Sequence, residues 1–332
     1  MNSHGTALDL AELESAAALV HRVMPATAQY PWPKLGRRAD CRVWVKHENH
    51  TPTGAFKVRG GLVYLDRLRR AQPACPGVIT ATRGNHGQSI AFSAARSGIP
   101  ATIYVPRNNS GDQNSAIAGF GARVIEFGKD FDEAKHEACR VASAEGLHFV
   151  PSFHRDLVAG VATYALELFR SAGALDAVYV GVGMGSGING LIAVRDLLGL
   201  KTEIIGVCAA QAPATALSFA AGRPVSTASA ATFIDGVACR VPDPTAIAAI
   251  VGGAARIVEV SEDQCAEAVR VLLRTTHNLA EPAGAIALAG LLAERDTAPE
   301  RVAGRRVGVV LSGGNLDAHL LATLLAGHTP HP

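Results

Sequence analysis

The sequence holds six cysteines, and no two of them form a CxxC pair. Cys41, Cys75, Cys139, Cys208, Cys239 and Cys265 are spread thinly through apolar segments. That spacing excludes a clustered zinc or redox motif and fits reduced thiols in a cytoplasmic protein. Charge of one sign is missing too. The formal net charge is +2, and the longest basic cluster, residues 34–38, is short. Nothing here argues for nucleic acid or an anionic membrane surface as partner. No charge-free apolar run reaches the roughly 18 residues that a membrane span needs. Residues 1–14 lack a basic stretch followed by an apolar core, so no secretory signal is expected. There is no Pro/Ser linker, low-complexity tract or solenoid repeat. Apolar residues, by contrast, make up 48% of the 332 positions and charged ones 18%, enough for a sizeable core in one large domain or two ordinary ones.

Short apolar runs end in glycine-rich turns and lead into amphipathic helical stretches. Strands are expected at 43–46, 77–81, 101–105, 123–127, 178–182, 203–207 and 306–311. Helices are expected at 58–70, 87–97, 110–119 and 131–145. β-Branched runs alternating with helices predict an α/β fold of parallel-rich sheets covered on both faces. The regular run 77–150 is expected to form a small α/β domain. It would be inserted in a larger one built from 1–76 plus 151–332.

Four segments carry chemistry. In residues 48–61, ENHTPTGAFKVRGG, Lys57 sits where a turn becomes a helix among small and apolar neighbours. Desolvation would lower its pKa and make the amine nucleophilic; an exposed lysine at a helix start is the plain alternative. In residues 177–198, a buried strand runs into Gly183-Met184-Gly185-Ser186-Gly187 and then a helix, the form of a phosphate cradle. The same residues fit GxGxxG, but a dinucleotide site needs an acid at the end of the next strand, about 20 residues on, to hold a ribose. That strand ends in Cys208 and Ala209, which disfavours a nicotinamide-dependent oxidoreductase. No GxxxxGK[ST] occurs. In residues 80–89, TATRGNHGQS, Thr82, Asn85 and the amides before a helix suit a carboxylate. His86 there is a general base or contributes only its amide. In residues 309–317, VVLSGGNLD, Ser312 ends a strand where parallel sheets bind ligands, or serves as a helix cap. His47 and His50 lack a third ligand for a metal, and Gly185-Ser186-Gly187 lacks the spacing of a nucleophile elbow.

Together these segments resemble the fold-type II pyridoxal-phosphate enzymes, whose fold is like that of the tryptophan synthase β chain. Within them the chain is most similar to the serine/threonine dehydratase and serine racemase family. The likeness runs from about Leu19 to Leu325, with PTGAFKVRG, TRGNHGQ, GMGSG, EPAGA and SGGN in the family's order. It implies pyridoxal 5′-phosphate as cofactor, held covalently by Lys57. Phe56 would pack near its ring and Asn85 would meet the ring hydroxyl. Gly183, Met184, Gly185, Ser186 and Gly187 would take the phosphate. Ser312 would face the ring nitrogen, and Glu281 would lie near the cofactor. Thr82 and the amides around Asn85 and His86 would receive the carboxylate of a small amino acid substrate. The implied activity is an ammonia-lyase, or dehydratase, acting on a β-hydroxy amino acid such as threonine, serine, 3-hydroxyaspartate or phenylserine. An amino acid racemase of the same fold is the alternative, and a homodimer is the family's usual form.

The chain departs from the pattern at four points. GMGSG replaces four consecutive glycines. Arg83 stands where the racemases use a serine as their second proton carrier, which disfavours racemisation. The arginine would either point inward to a substrate carboxylate or pair with an acid on the other domain. Residues 208–214, CAAQAPA, contain no carboxylate, so the family's divalent metal is not expected. With the sequence ending near residue 332, a regulatory domain and feedback control are not expected.

Overall fold

The computed structural model describes residues 8–331. Ten strands form two sheets. They are β1 (Gln29–Pro31), β2 (Arg42–His47), β3 (Val78–Ala81), β4 (Ala101–Val105), β5 (Arg123–Glu126), β6 (His148–Phe149), β7 (Ala177–Gly181), β8 (Glu203–Ala209), β9 (Arg256–Val260) and β10 (Arg306–Leu311). The larger sheet has the order β1-β2-β10-β7-β8-β9, and the smaller β5-β4-β3-β6. Every pairing is parallel except β1 with β2.

The seven expected strands are present within a residue or two. β1, β6 and β9 escape the sequence reading for physical reasons. β1 and β6 are three and two residues long. β9, RIVEV, lies at a sheet edge with Arg256 and Glu259 interrupting its apolar run.

Alternation along the central strands feeds two cores. Tyr179, Ile205, Val207, Val307 and Val309 pack on one face of the large sheet, against the helices Glu262–Thr276 and Pro282–Thr297. Val178, Val180, Ile204 and Val310 pack on the other, against Leu10–His21, Arg155–Ala172 and Ser186–Leu197. Pro282–Thr297 is apolar nearly all round because it is buried from Pro282 through Leu292. Because the strands are parallel, β2, β3, β7 and β10 all lead into site segments at their carboxyl ends, where open α/β sheets bind ligands. All six cysteines are free. Among the described residues no helix is long and apolar enough to cross a membrane.

Candidate active site

The helix Lys57–Ala71 begins at Lys57 itself, directly after the turn PTGAF. Three backbone contacts stitch that turn to the SGGN segment after β10. Phe56 N–H donates to Ser312 O at 2.9 Å, Gly314 N–H donates to Gly54 O at 2.9 Å, and Ala55 bridges Gly313. Glu281 N–H donates to Gly313 O at 3.1 Å, which brings the EPAGA segment to the same place. Residues far apart in sequence therefore meet because their backbones pair, before any side chain is considered.

These segments wall a cavity of about 540 Å³. Lys57, Thr82, Asn85, Glu281, Ser312 and the glycine loop all line it. Burial pushes the Lys57 amine down to about 8, and the Glu281 carboxylate opposes this only in part. Nζ lies 5.2 Å from the centroid of the Phe56 ring. Phe56 is itself held edge-on by Tyr164, with centroids 6.2 Å apart. Burial also pushes Glu281 up to about 8, against a hydrogen bond from Asn85. Asn85 Nδ2 donates to Glu281 Oε1 at 2.7 Å, and Asn315 Nδ2 donates to Asn85 Oδ1 at 2.7 Å. The Asn85 amide is thus fixed between two partners. Asn315 and Gln113, which donates to Asn315 O at 3.1 Å, went unnoticed in the sequence. The asparagine of SGGN was the available signal.

The remaining segments are equally constrained. Thr82 Oγ1 accepts from the Gly84 and Gly87 N–H groups at 2.9 and 3.1 Å, so it shapes the turn it belongs to. His86 is buried. Its Nε2 lies 3.2 Å from Thr80 Oγ1, whose proton goes to Val150 O at 2.7 Å. Nε2 is therefore the donor. Burial and the nearby Lys57 charge push His86 down to about 3, so it stays neutral and only weakly basic. Ser312 Oγ donates to Ala283 O at 3.1 Å. Met184 packs with Phe153, Val158 and Ala246. Arg83 pairs with Asp235 on the short turn Asp235–Val237, an acid not singled out in the sequence.

His47 and His50 stack on each other, with centroids 5.1 Å apart. His47 Nε2 accepts from Trp32 Nε1 at 3.0 Å. Among the described residues no group of three or more His, Cys, Asp or Glu is placed to hold a metal.

The profile of the pyridoxal-phosphate dependent enzymes matches residues 24–313. The chain belongs to this family. Its cofactor is pyridoxal 5′-phosphate. It is 35% identical over 304 residues to the biosynthetic L-threonine dehydratase of Salmonella typhimurium, covering 91% of this chain and 58% of that one. The chain thus spans about three fifths of the length of that relative. It is 30% identical to the L-threo-3-hydroxyaspartate ammonia-lyase of Saccharomyces cerevisiae, covering 90% of each. Processed threonine deaminase isoform 2 of Solanum lycopersicum superposes with a TM-score of 0.88 at 28% identity, over 97% of this chain and 94% of that one.

The cavity of this pyridoxal-phosphate dependent enzyme suits its cofactor. The helix Ser186–Leu197 begins without a side-chain cap, so its first N–H groups remain available to a phosphate. Gly185 has φ +94°, a conformation that side chains rarely adopt, and a Cβ on Gly183 would sit 2.5 Å from Gly236 O. Both positions require glycine, Gly185 for its left-handed backbone and Gly183 for its close packing on Gly236. A desolvated amine lies in the same cavity. Were Lys57 to anchor the cofactor, uptake by the apoprotein would need that amine neutral. Its rate is expected to rise about tenfold per pH unit and to level off above about 8. Absorbance after rapid mixing checks this, and a flat profile from about pH 6 to 9 would contradict it.

Proposed function

We propose that the protein is a pyridoxal-phosphate dependent ammonia-lyase. It converts a β-hydroxy amino acid of the threonine/serine type to a 2-oxo acid and ammonia. The observation that carries this reading is the convergence of three features in one cavity: the desolvated Lys57, the uncapped glycine loop and the Thr82–His86 turn. Similarity to enzymes named threonine dehydratase and hydroxyaspartate ammonia-lyase supports it.

When bound, the cofactor supplies an electron sink for charge at the substrate Cα. Lys57 would anchor it and, as a free amine, would take the proton from Cα. The amides around Asn85 and His86 receive the substrate carboxylate, aided by the helix start at Asn85. Asn85, locked by Glu281 and Asn315, fixes the ring's position. Ser312 would lie towards the ring nitrogen, where a neutral hydroxyl would not keep that nitrogen protonated as a carboxylate would. The β-hydroxyl would leave as water with the proton that Lys57 took from Cα, and hydrolysis of the released imino acid would give the 2-oxo acid and ammonia. Racemisation needs a second proton carrier opposite Lys57. Arg83 takes the place in the motif where the racemases carry their serine; it pairs with Asp235, and arginine stays protonated in proteins.

Domain organisation belongs to the same proposal: a unit of residues 77–150 inserted in one built from 1–76 plus 151–332. The four strands of the smaller sheet all lie within the first of these. A homodimer and a cytoplasmic location complete it, on the family's usual form and on six free cysteines.

The substrate class is tested by a panel of L-threonine, L-serine, threo-3-hydroxyaspartate and phenylserine, scored for ammonia and 2-oxo acid. Equal amounts of both products from at least one of them are expected, and neither product from any would refute the lyase reading. Activity is expected to persist in a chelator. Loss that magnesium or calcium restores would reveal a metal site.

A further inference from the structure

The cavity mouth carries charges that the lyase chemistry does not use. Arg83 follows β3, between Thr82 and the turn that leads to Asn85. Asp235 lies across the cavity on a turn packed against both the glycine loop and the Pro282–Thr297 helix. A Cβ on Gly183 would meet Gly236 O, and one on Gly236 would sit 2.5 Å from Ala283 Cβ. The two side chains, both lining the cavity, join in an ion pair. A second pair, Arg240 with Asp132, lines the same cavity.

We propose that Asp235 sets substrate choice by charge: it neutralises Arg83, so the cavity favours β-hydroxy amino acids with an uncharged side chain over those with a second carboxylate. This rests on reading the cavity as an amino acid site. Arg83 lies on the carboxylate-binding turn itself, next to Gly84 and two residues before Asn85. Left free, its guanidinium would suit a distal carboxylate through paired N–H donors. Asp235 occupies it and adds its own negative charge. Asp235 lines the same cavity as Glu281, and its charge adds to burial in raising that carboxyl. An acidic side chain therefore meets a like charge and a guanidinium already in use. The pair is not a structural necessity. Its side chains are 44% and 58% exposed, and exposed pairs contribute little to stability. Removing either partner should alter selectivity while the fold persists.

The test uses holoenzyme titrated with L-alanine and L-aspartate, neither of which has a β-hydroxyl to lose, followed by the visible band of the bound cofactor. The ratio of their dissociation constants reads the charge preference without any elimination. Asp235→Asn is expected to improve L-aspartate relative to L-alanine by about tenfold or more, the scale of one charge-assisted hydrogen bond. The double variant with Arg83→Ala should lose that gain. Arg83→Ala alone leaves Asp235 unneutralised and should weaken L-aspartate relative to L-alanine. It also serves as the test if Asp235→Asn does not take up cofactor. An unchanged ratio in the single variants would overturn the proposal, even if the wild type releases ammonia from threonine. A shifted ratio in a protein that releases no ammonia from any β-hydroxy amino acid would uphold the proposal and sink the lyase reading instead.

Discussion

Lys57→Ala is expected to lose the visible absorption of bound cofactor and at least about a thousandfold of lyase activity, because the proposed function gives one side chain both the anchoring of the cofactor and the movement of the Cα proton. The environment of Lys57 suits these two tasks. Burial brings its amine down to about 8, where a substantial neutral fraction exists near physiological pH. Lys57→Arg should not rescue the loss, since a guanidinium keeps its proton. Borohydride reduction of the wild type followed by peptide mapping should find the cofactor on Lys57. Label on another lysine would overturn the assignment, as would near-normal turnover by Lys57→Ala.

Arg59→Met is expected to destabilise the fold by about 3–5 kcal/mol, the cost of leaving buried charge without its partner. Arg59 is fully buried. Its Nε donates to Glu48 Oε2 at 2.7 Å, and its Nη1 donates to Glu167 Oε1 at 2.7 Å and Thr163 Oγ1 at 2.9 Å. Lys46 Nζ completes the cluster, donating to Glu167 Oε2 at 2.5 Å and Thr27 O at 2.9 Å. Two cations and two carboxylates balance. The cluster ties the start of the Lys57 helix to the end of β2 and to the helix Arg155–Ala172, so it also sets where Lys57 stands. Burial alone would raise Glu167, but Arg59 and Lys46 outweigh it and hold the carboxyl at about 2. The folded pKa lies below the ordinary 4.5, so the contribution of Glu167 is present above about 4.5. It is lost as pH falls towards about 2. Denaturant titration of wild type and variant near neutral pH reads the difference. A change under about 1 kcal/mol would mean that the cluster is dispensable.

Much of this was legible in the sequence because it is local. β-Branched runs announce buried parallel strands, and PTGAFK, TRGNHG, GMGSG and SGGN each sit on a strand or turn that periodicity and glycine reveal. Pairings across the chain were not legible. Arg59 meets Glu167 across 108 positions, Arg83 meets Asp235 across 152, and Asn85 meets Glu281 across 196. Periodicity says which face a residue occupies, not which distant side chain will approach it. Glu281 was expected near the cofactor without a partner, and the structure supplies Asn85. For Arg83 the sequence allowed an inward or a bridging guanidinium, and only the folded chain reveals the carboxylate it meets. His86 stood between base and scaffold, and its burial, absent from any motif, makes it a poor base.

Elimination by a lysine with no opposite proton carrier can be followed by incubating the holoenzyme with L-serine and measuring pyruvate, ammonia and D-serine in the same samples over time. Pyruvate and ammonia should appear in equal amounts while D-serine stays at or near background. D-serine forming as fast as pyruvate, or without it, would contradict the account.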